Sequence, residues 1–406
     1  MGAVPSSSES EPQPHSSRLS AARREGERVT PLELFFDLVF VLAITQCTAL
    51  MAHHPSWSGL IQGLLVLGVL WWAWVGYAWL TSVIDPEEGA VRLVIFAAMA
   101  ALLIAGLCVP EAFGALALTF ALAIGVFRVA HIALFMLASP DDDALRHSVL
   151  GLAASTAVAV LLLAAASLFD GLAQGALWAL AIFLDMAGPY FFGAAGWKLV
   201  PGHFAERHGL IVIIALGESI VAIGVGAAGA LDFGIGAVAV LGVVLAAALW
   251  WTYFDVVALV SAKRLGEAEV GRVQNELARD SYSYMHLALV AGIVLVAFGM
   301  KKAIGHTGDH LHGVEAFGLL GGVALYLFGL VMFRWRQAHT LNRHRFGLAI
   351  VFLLLVPVTT SIPAWLALAI VDVLIWTMIG FEQRHYYDER RAQLRHEFSV
   401  AHSDAG

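Results

Sequence analysis

The amino-acid sequence predicts an all-α protein, a polytopic membrane bundle of about twelve helices, and three observations predict it. Hydrophobic residues fill 60% of the 406 positions and charged residues only 13%, with a mean hydropathy of +0.80. A soluble domain carries roughly 45–50% apolar and about 25% charged residues, so no soluble fold has polar surface enough to solvate this chain. Apolar runs of about 18 residues or more recur from Leu32 almost to the C-terminus. Such runs are the length that ~30 Å of hydrocarbon demands at ~1.5 Å per helical residue. Finally, the basic residues segregate between loops in the way an even number of crossings produces.

Residues 1–30 are polar, rich in Ser and Pro, and lack the apolar core and small-residue cleavage site of a signal peptide, so they read as a disordered cytoplasmic tail. The runs that follow predict spans over 32–51, 59–81, 91–110, 113–138, 148–168 and 174–195. A second set follows over 206–228, 232–260, 281–300, 313–333, 346–360 and 362–381. Pro357 and Pro363 lie close together, so the last two could be one broken helix. Residues 383–406 read as a cytoplasmic C-terminal tail. Short basic loops favour the cytoplasmic face. Of the 23 Lys and Arg, Arg128 falls inside a span and Lys301 and Lys302 in an outer loop, which leaves twenty on the side of the N-terminus. One missed helix would invert every later loop, so both termini are expected in the cytoplasm.

Three landmarks recur in the same order along the two halves. Leu32-Glu33 opens the first span as Ala205-Glu206 opens the seventh. Trp71-Trp72-Ala73-Trp74 ends the second as Trp250-Trp251-Thr252-Tyr253 ends the eighth, and Asp185 and Asp372 follow similar apolar stretches in the sixth and twelfth. The order predicts a six-plus-six parallel repeat, with units over 31–200 and 201–382.

An ionisable group near the bilayer centre costs at least ~2.5–3.5 kcal/mol, so each one there is a candidate functional residue. The first span opens Pro31-Leu32-Glu33-Leu34-Phe35-Phe36-Asp37. Its acids at i and i+4 share one helix face, and a cation, a proton or an arginine must compensate them. Glu33 could instead sit at headgroup level as an N-terminal helix charge; Asp37 lies roughly 6 Å deeper. The seventh span begins His203-Phe204-Ala205-Glu206-Arg207-His208 and continues to Gly217-Glu218-Ser219. Glu218 falls near mid-membrane, roughly 18 Å beyond Glu206, flanked by small residues that let another helix approach. It must be protonated, paired or wetted, or else serve as hydrogen-bonded glue between helices.

Candidate partners are Arg128 and His131 in the fourth span, Asp185 in the sixth, Asp255 in the eighth, His286 in the ninth and Asp372 in the twelfth. Arg128 is expected to pair with one of the acids, which one being open. His286 reads more simply as an interhelical donor, and the Trp-rich span ends as interfacial belts. Cys47 and Cys108 both lie in apolar runs and form no disulfide framework or Cys-based metal spacing. The outer-loop histidines His306, His310 and His312 have loose spacing and read as solvated. A net charge of −8 with scattered basic residues invites no nucleic acid. No phosphate-binding Gly-Lys-Ser loop, nucleophile elbow or His-Glu-x-x-His helix occurs, so no metal, cofactor or enzymatic activity is expected.

Glu33-Leu34-Phe35-Phe36-Asp37-Leu38-Val39-Phe40-Val41, with Glu206-Arg207-His208-Gly209-Leu210 and Leu216-Gly217-Glu218-Ser219-Ile220, resembles the bacterial low temperature requirement protein A family from about Val29 to the last span. The resemblance implies a multi-pass protein of the bacterial inner membrane and supplies no mechanism. Asp37 to Thr45 is also similar to the first-helix Phe-Ser-Asp signature of two-repeat potassium channels, though Phe36 stands where that signature has Ser.

Together these features predict a secondary carrier or channel that moves a cation or protons along a path lined by Asp37, Glu206 and Glu218, with Glu33 at its cytoplasmic mouth. Arg207, Ser219, Arg128, Asp185, His203 and His286 complete the candidate set. The competing class is a membrane-embedded sensor, scaffold or lipid-acting protein in which the same acids are structural or bind a headgroup. Membrane lipid is the expected surrounding partner, and self-association is left open.

Overall fold

The computed structural model describes residues 28–87, 89–139, 142–191, 196–227, 232–305 and 307–387. Twelve long helices are present among them. The first six are α1 (Pro31–His53), α2 (Trp57–Thr81), α3 (Gly89–Cys108), α4 (Ala117–Ala138), α5 (Asp143–Ala166) and α6 (Gly171–Phe191). The second set comprises α7 (Pro201–Gly226), α8 (Phe233–Phe254), α11 (His286–Gly305), α13 (Gly322–Ala338), α14 (Arg343–Thr359) and α15 (Ala364–Glu382). Short helices α9 (Val257–Glu267), α10 (Arg272–Leu277) and α12 (Gly313–Ala316) extend the long ones, and π-helical turns over Ala278–Met285, Phe317–Gly321 and Gln383–Tyr387 complete the chain.

Helix starts follow local chemistry. Thr30 and Glu33 form a capping box around Pro31, so the acid that opens the first span also satisfies a free backbone N–H. Ser56, Asp142, Asp232 and Asn342 cap α2, α5, α8 and α14 in the same way, each accepting from a backbone N–H three residues on. Among the described residues eleven segments are long and apolar enough to cross a membrane. The twelfth, α14, has 17 residues. The prolines separate it cleanly from α15, with Pro357 inside α14 and Pro363 at the N-cap of α15. The expected C-terminal tail departs from sequence in one respect, since Gln383–Tyr387 prolong α15. Residues 1–27, 388–406 and His306 lie outside the described residues.

Each half closes the same ring of neighbours. In the first, α1 packs on α2 and α3, α3 on α4, α4 on α5, α5 on α6, and α6 returns to α2. In the second, α7 packs on α8 and α11, α11 on α13, α13 on α14, α14 on α15, and α15 returns to α8. The halves join where α1 meets α7 and α11. Among the described residues α7 makes no comparably close contact with α3.

The α11 and α13 segments are the most buried, and α6 the least. Glycine permits the tightest crossing: a Cβ on Gly292 would fall 2.7 Å from the Gly322 carbonyl oxygen, and one on Gly299 2.6 Å from the Leu319 nitrogen.

Candidate functional site

The strongest concentration of buried charge forms where α1 meets α7. Both helices begin with proline, and their contact brings Glu33 and Asp37 opposite His203 and Arg207. All four are buried, at 2% exposure or less. Arg207 donates through Nη2 to Asp37 Oδ1 at 2.6 Å, and through Nη1 to Glu33 Oε1 at 3.1 Å and Thr81 Oγ1 at 3.0 Å. Trp74 Nε1 donates to the same Asp37 oxygen at 2.9 Å. The guanidinium also lies 5.5 Å from the Trp74 ring centre and 5.9 Å from that of Phe36, within the range of a cation–π attraction.

Asp37 Oδ2 is buried without a hydrogen-bond partner among the described residues. A carboxylate oxygen in that position is expensive unless something charged or wet reaches it. A crevice of about 200 Å³ reaches Glu33 and Arg207 past Leu32, Phe36, Thr81 and Ile95.

His203 can hold or release a proton here without rebuilding the site. Its Nε2 lies 2.8 Å from Glu33 Oε1 and its Nδ1 3.1 Å from Ser82 Oγ. The Ser82 hydroxyl also reaches the Ala78 carbonyl at 3.1 Å. With His203 neutral, Ser82 donates to Nδ1; with it protonated, Nδ1 donates to Ser82, which turns to Ala78. A hydroxyl rotation accommodates either state.

Glu218 lies further along the same α1/α7 contact. It is buried and accepts a short hydrogen bond from Thr45 of α1; Thr48 and Cys47 of α1 and Lys301 of α11 lie within its electrostatic reach. Thr45 follows Asp37 by eight residues, hence by roughly 12 Å. Acids therefore sit at two depths of one helix contact. Ser219 is buried with its hydroxyl unpartnered, whereas a Cβ on Gly217 would meet nothing within 4 Å, so that glycine does not serve the expected close approach.

Glu206 corrects the expected path. It is exposed and accepts from the Val29 nitrogen at 3.2 Å. One helical step turns it away from the seam and turns Arg207 into it, so the cation and not the acid of this pair joins Glu33 and Asp37.

The partner of Arg128 is Asp185. Arg128 Nη2 lies 3.1 and 3.2 Å from the two carboxylate oxygens, and Thr156 bridges the pair at 2.6 and 2.9 Å. His286 accepts from or donates to Tyr253 at 2.8 Å and sits 5.2 Å from His208, in an aromatic cluster apart from the acids. A further buried ion pair, absent from the sequence-based candidates, joins Arg345 to Glu382 at 2.8 Å with Asn342 alongside. Its signal was obscured because both residues fall at the ends of their apolar runs. His312 caps α12 with Glu315 and is largely exposed. Among the described residues no three His, Cys, Asp or Glu side chains converge as a metal site.

The family model for the bacterial low temperature requirement A protein matches residues 28–380. An uncharacterized protein of Rhizobium meliloti (strain 1021) is 28% identical over 369 residues, covering 86% of this chain and 89% of its own. No solved structure matches the chain.

Proposed function

The chain belongs to the bacterial low temperature requirement A family, and from that premise we propose that it is a secondary carrier or channel that moves protons or a cation along the α1/α7 seam. One observation carries this: the buried Glu33–His203–Arg207–Asp37 cluster, in which one oxygen of Asp37 has no partner. In this cluster His203 can take up a proton by a hydroxyl rotation, and Asp37 Oδ2 is a buried acceptor that a proton or cation would satisfy.

The proposal places the protein in the plasma membrane with both termini cytoplasmic, supported by the segregation of basic residues. It also takes the halves as a duplicated six-helix unit, supported by their shared ring of neighbours.

One observation favours the second class, a sensor or scaffold: neither Asp37 nor Glu218 lines the crevice at Glu33 and Arg207. Flux separates the two. Purified protein in liposomes loaded with a pH-sensitive dye should pass protons or a monovalent cation under an imposed gradient, and Glu218→Gln should reduce that flux at least about tenfold, as loss of an intramembrane relay acid would. Wild-type liposomes indistinguishable from empty ones would assign the acids to holding the bundle.

A further inference from the structure

Away from the acid seam, a crevice of about 470 Å³ opens between the first half and the π-helical turn Ala278–Met285. Its walls are apolar, with Val75, Trp79, Leu152 and Trp197 prominent, yet two guanidiniums reach it, those of Arg128 and Arg279. A second crevice of about 350 Å³ shares Trp72 and Arg128 in its lining and lies along α2 to Gly68. Between them the two crevices border α2 from Gly68 to Trp79, roughly 16 Å.

Charge is unevenly spread along them. Arg128 is neutralised by Asp185 at 3.1 Å, though its Nε is buried without a partner. Near the wider end, Arg279 and Arg336 share the single carboxylate of Asp280, at 2.8 and 2.9 Å, so this group retains one positive charge. Arg279 stacks 3.9 Å over the Tyr190 ring. Pro189 lines the crevice, and the adjoining Tyr190 and Phe191 are exposed on α6, the least buried helix. The crevice therefore communicates with the lipid-facing wall, apolar along its length and cationic at one end.

We propose that this slot binds an anionic membrane lipid, with the headgroup phosphate at Arg279 and one acyl chain laid along Trp79, Val75 and Trp72. Ion movement along the α1/α7 seam is not required for it. Phosphate on a guanidinium forms a strong charge-assisted pair, and basic pockets between membrane helices are suited to lipid headgroups.

The test is native mass spectrometry of the purified full chain, titrated with phosphatidylglycerol or phosphatidylcholine of equal chain length. Phosphatidylglycerol should be retained preferentially, and Arg279→Gln should weaken it about fivefold, the weight of one basic group against an anionic lipid. Leu152→Trp, which fills the slot and leaves every charge in place, should abolish retention of both lipids while preserving the thermal transition. Equal retention of the two lipids by the wild type overturns the proposal, as does unchanged binding in both variants. Displacement of phosphatidylglycerol by an equal concentration of sn-glycerol 3-phosphate would also overturn it, since the site would then recognise a free phosphate.

Discussion

Replacing Arg207 by methionine keeps the apolar stem and removes a cation that faces two buried carboxylates. Arg207 contacts Asp37 at 2.6 Å and Glu33 at 3.1 Å, with all three side chains at 1% exposure or less. Breaking one buried pair costs ~3–5 kcal/mol because the abandoned charge stays in a poor solvent. Asp37 is then left facing Trp74 while Glu33 keeps His203, so the whole of that range applies. At ~2 °C per kcal/mol for a large chain, the transition should fall by roughly 6–10 °C. The assay is thermal unfolding of the detergent-solubilised chain followed by size-exclusion chromatography. Adding Glu33→Gln and Asp37→Asn to Arg207→Met should recover at least half of the loss, because removing all charges of a buried set is close to neutral, and glutamine retains the capping box. A single variant that melts within ~2 °C of the wild type, or a triple variant no better than the single, would refute the electrostatic account.

Gly292→Ala should destabilise by ~1–3 kcal/mol or more through overpacking, because its Cβ would meet the Gly322 carbonyl and the Tyr326 nitrogen at 2.7 Å. Gly217→Ala, with nothing within 4 Å, should be neutral or stabilising by up to ~1 kcal/mol through helix propensity; the two melting curves should therefore move apart. Arg345→Met breaks another buried pair, whose partners Glu382, Asn342 and Thr252 do not overlap those of Arg207. Its stability loss should add to that of Arg207→Met within ~0.5 kcal/mol, and a larger deviation would mean that the two clusters are coupled.

Fold class, the number of long helices and most of their bounds were legible in the sequence, because spanning segments need only length and apolarity. The breaks inside spans were not. The interruption of α8 near Asp255 and the π-helical turn at Ala278–Met285 depend on contacts such as the Trp71 and Trp79 indoles donating to Ser283, which join residues over 200 positions apart. Acids in apolar helices announced themselves by their cost, and the structure buries Glu33, Asp37 and Glu218. Their surroundings were harder to foresee. Helical phase decided that Arg207 faces the seam and Glu206 does not, and a single span cannot supply that phase until its neighbours are known. Trp74 was read as part of an interfacial belt, yet it is a buried donor to Asp37. Arg345 and Glu382 escaped notice because an ionisable residue at the end of an apolar run looks like a boundary until another helix covers it.

Proton flux under a clamped membrane potential, measured in liposomes carrying the wild type or His203→Gln, tests the central claim most directly. A glutamine at 203 can still hydrogen-bond Glu33 and Ser82 but cannot carry the proton. The account predicts gradient-driven flux in the wild type and its loss, by at least about tenfold, in a variant that melts normally. Flux that survives His203→Gln unchanged, or none in either protein, would contradict it.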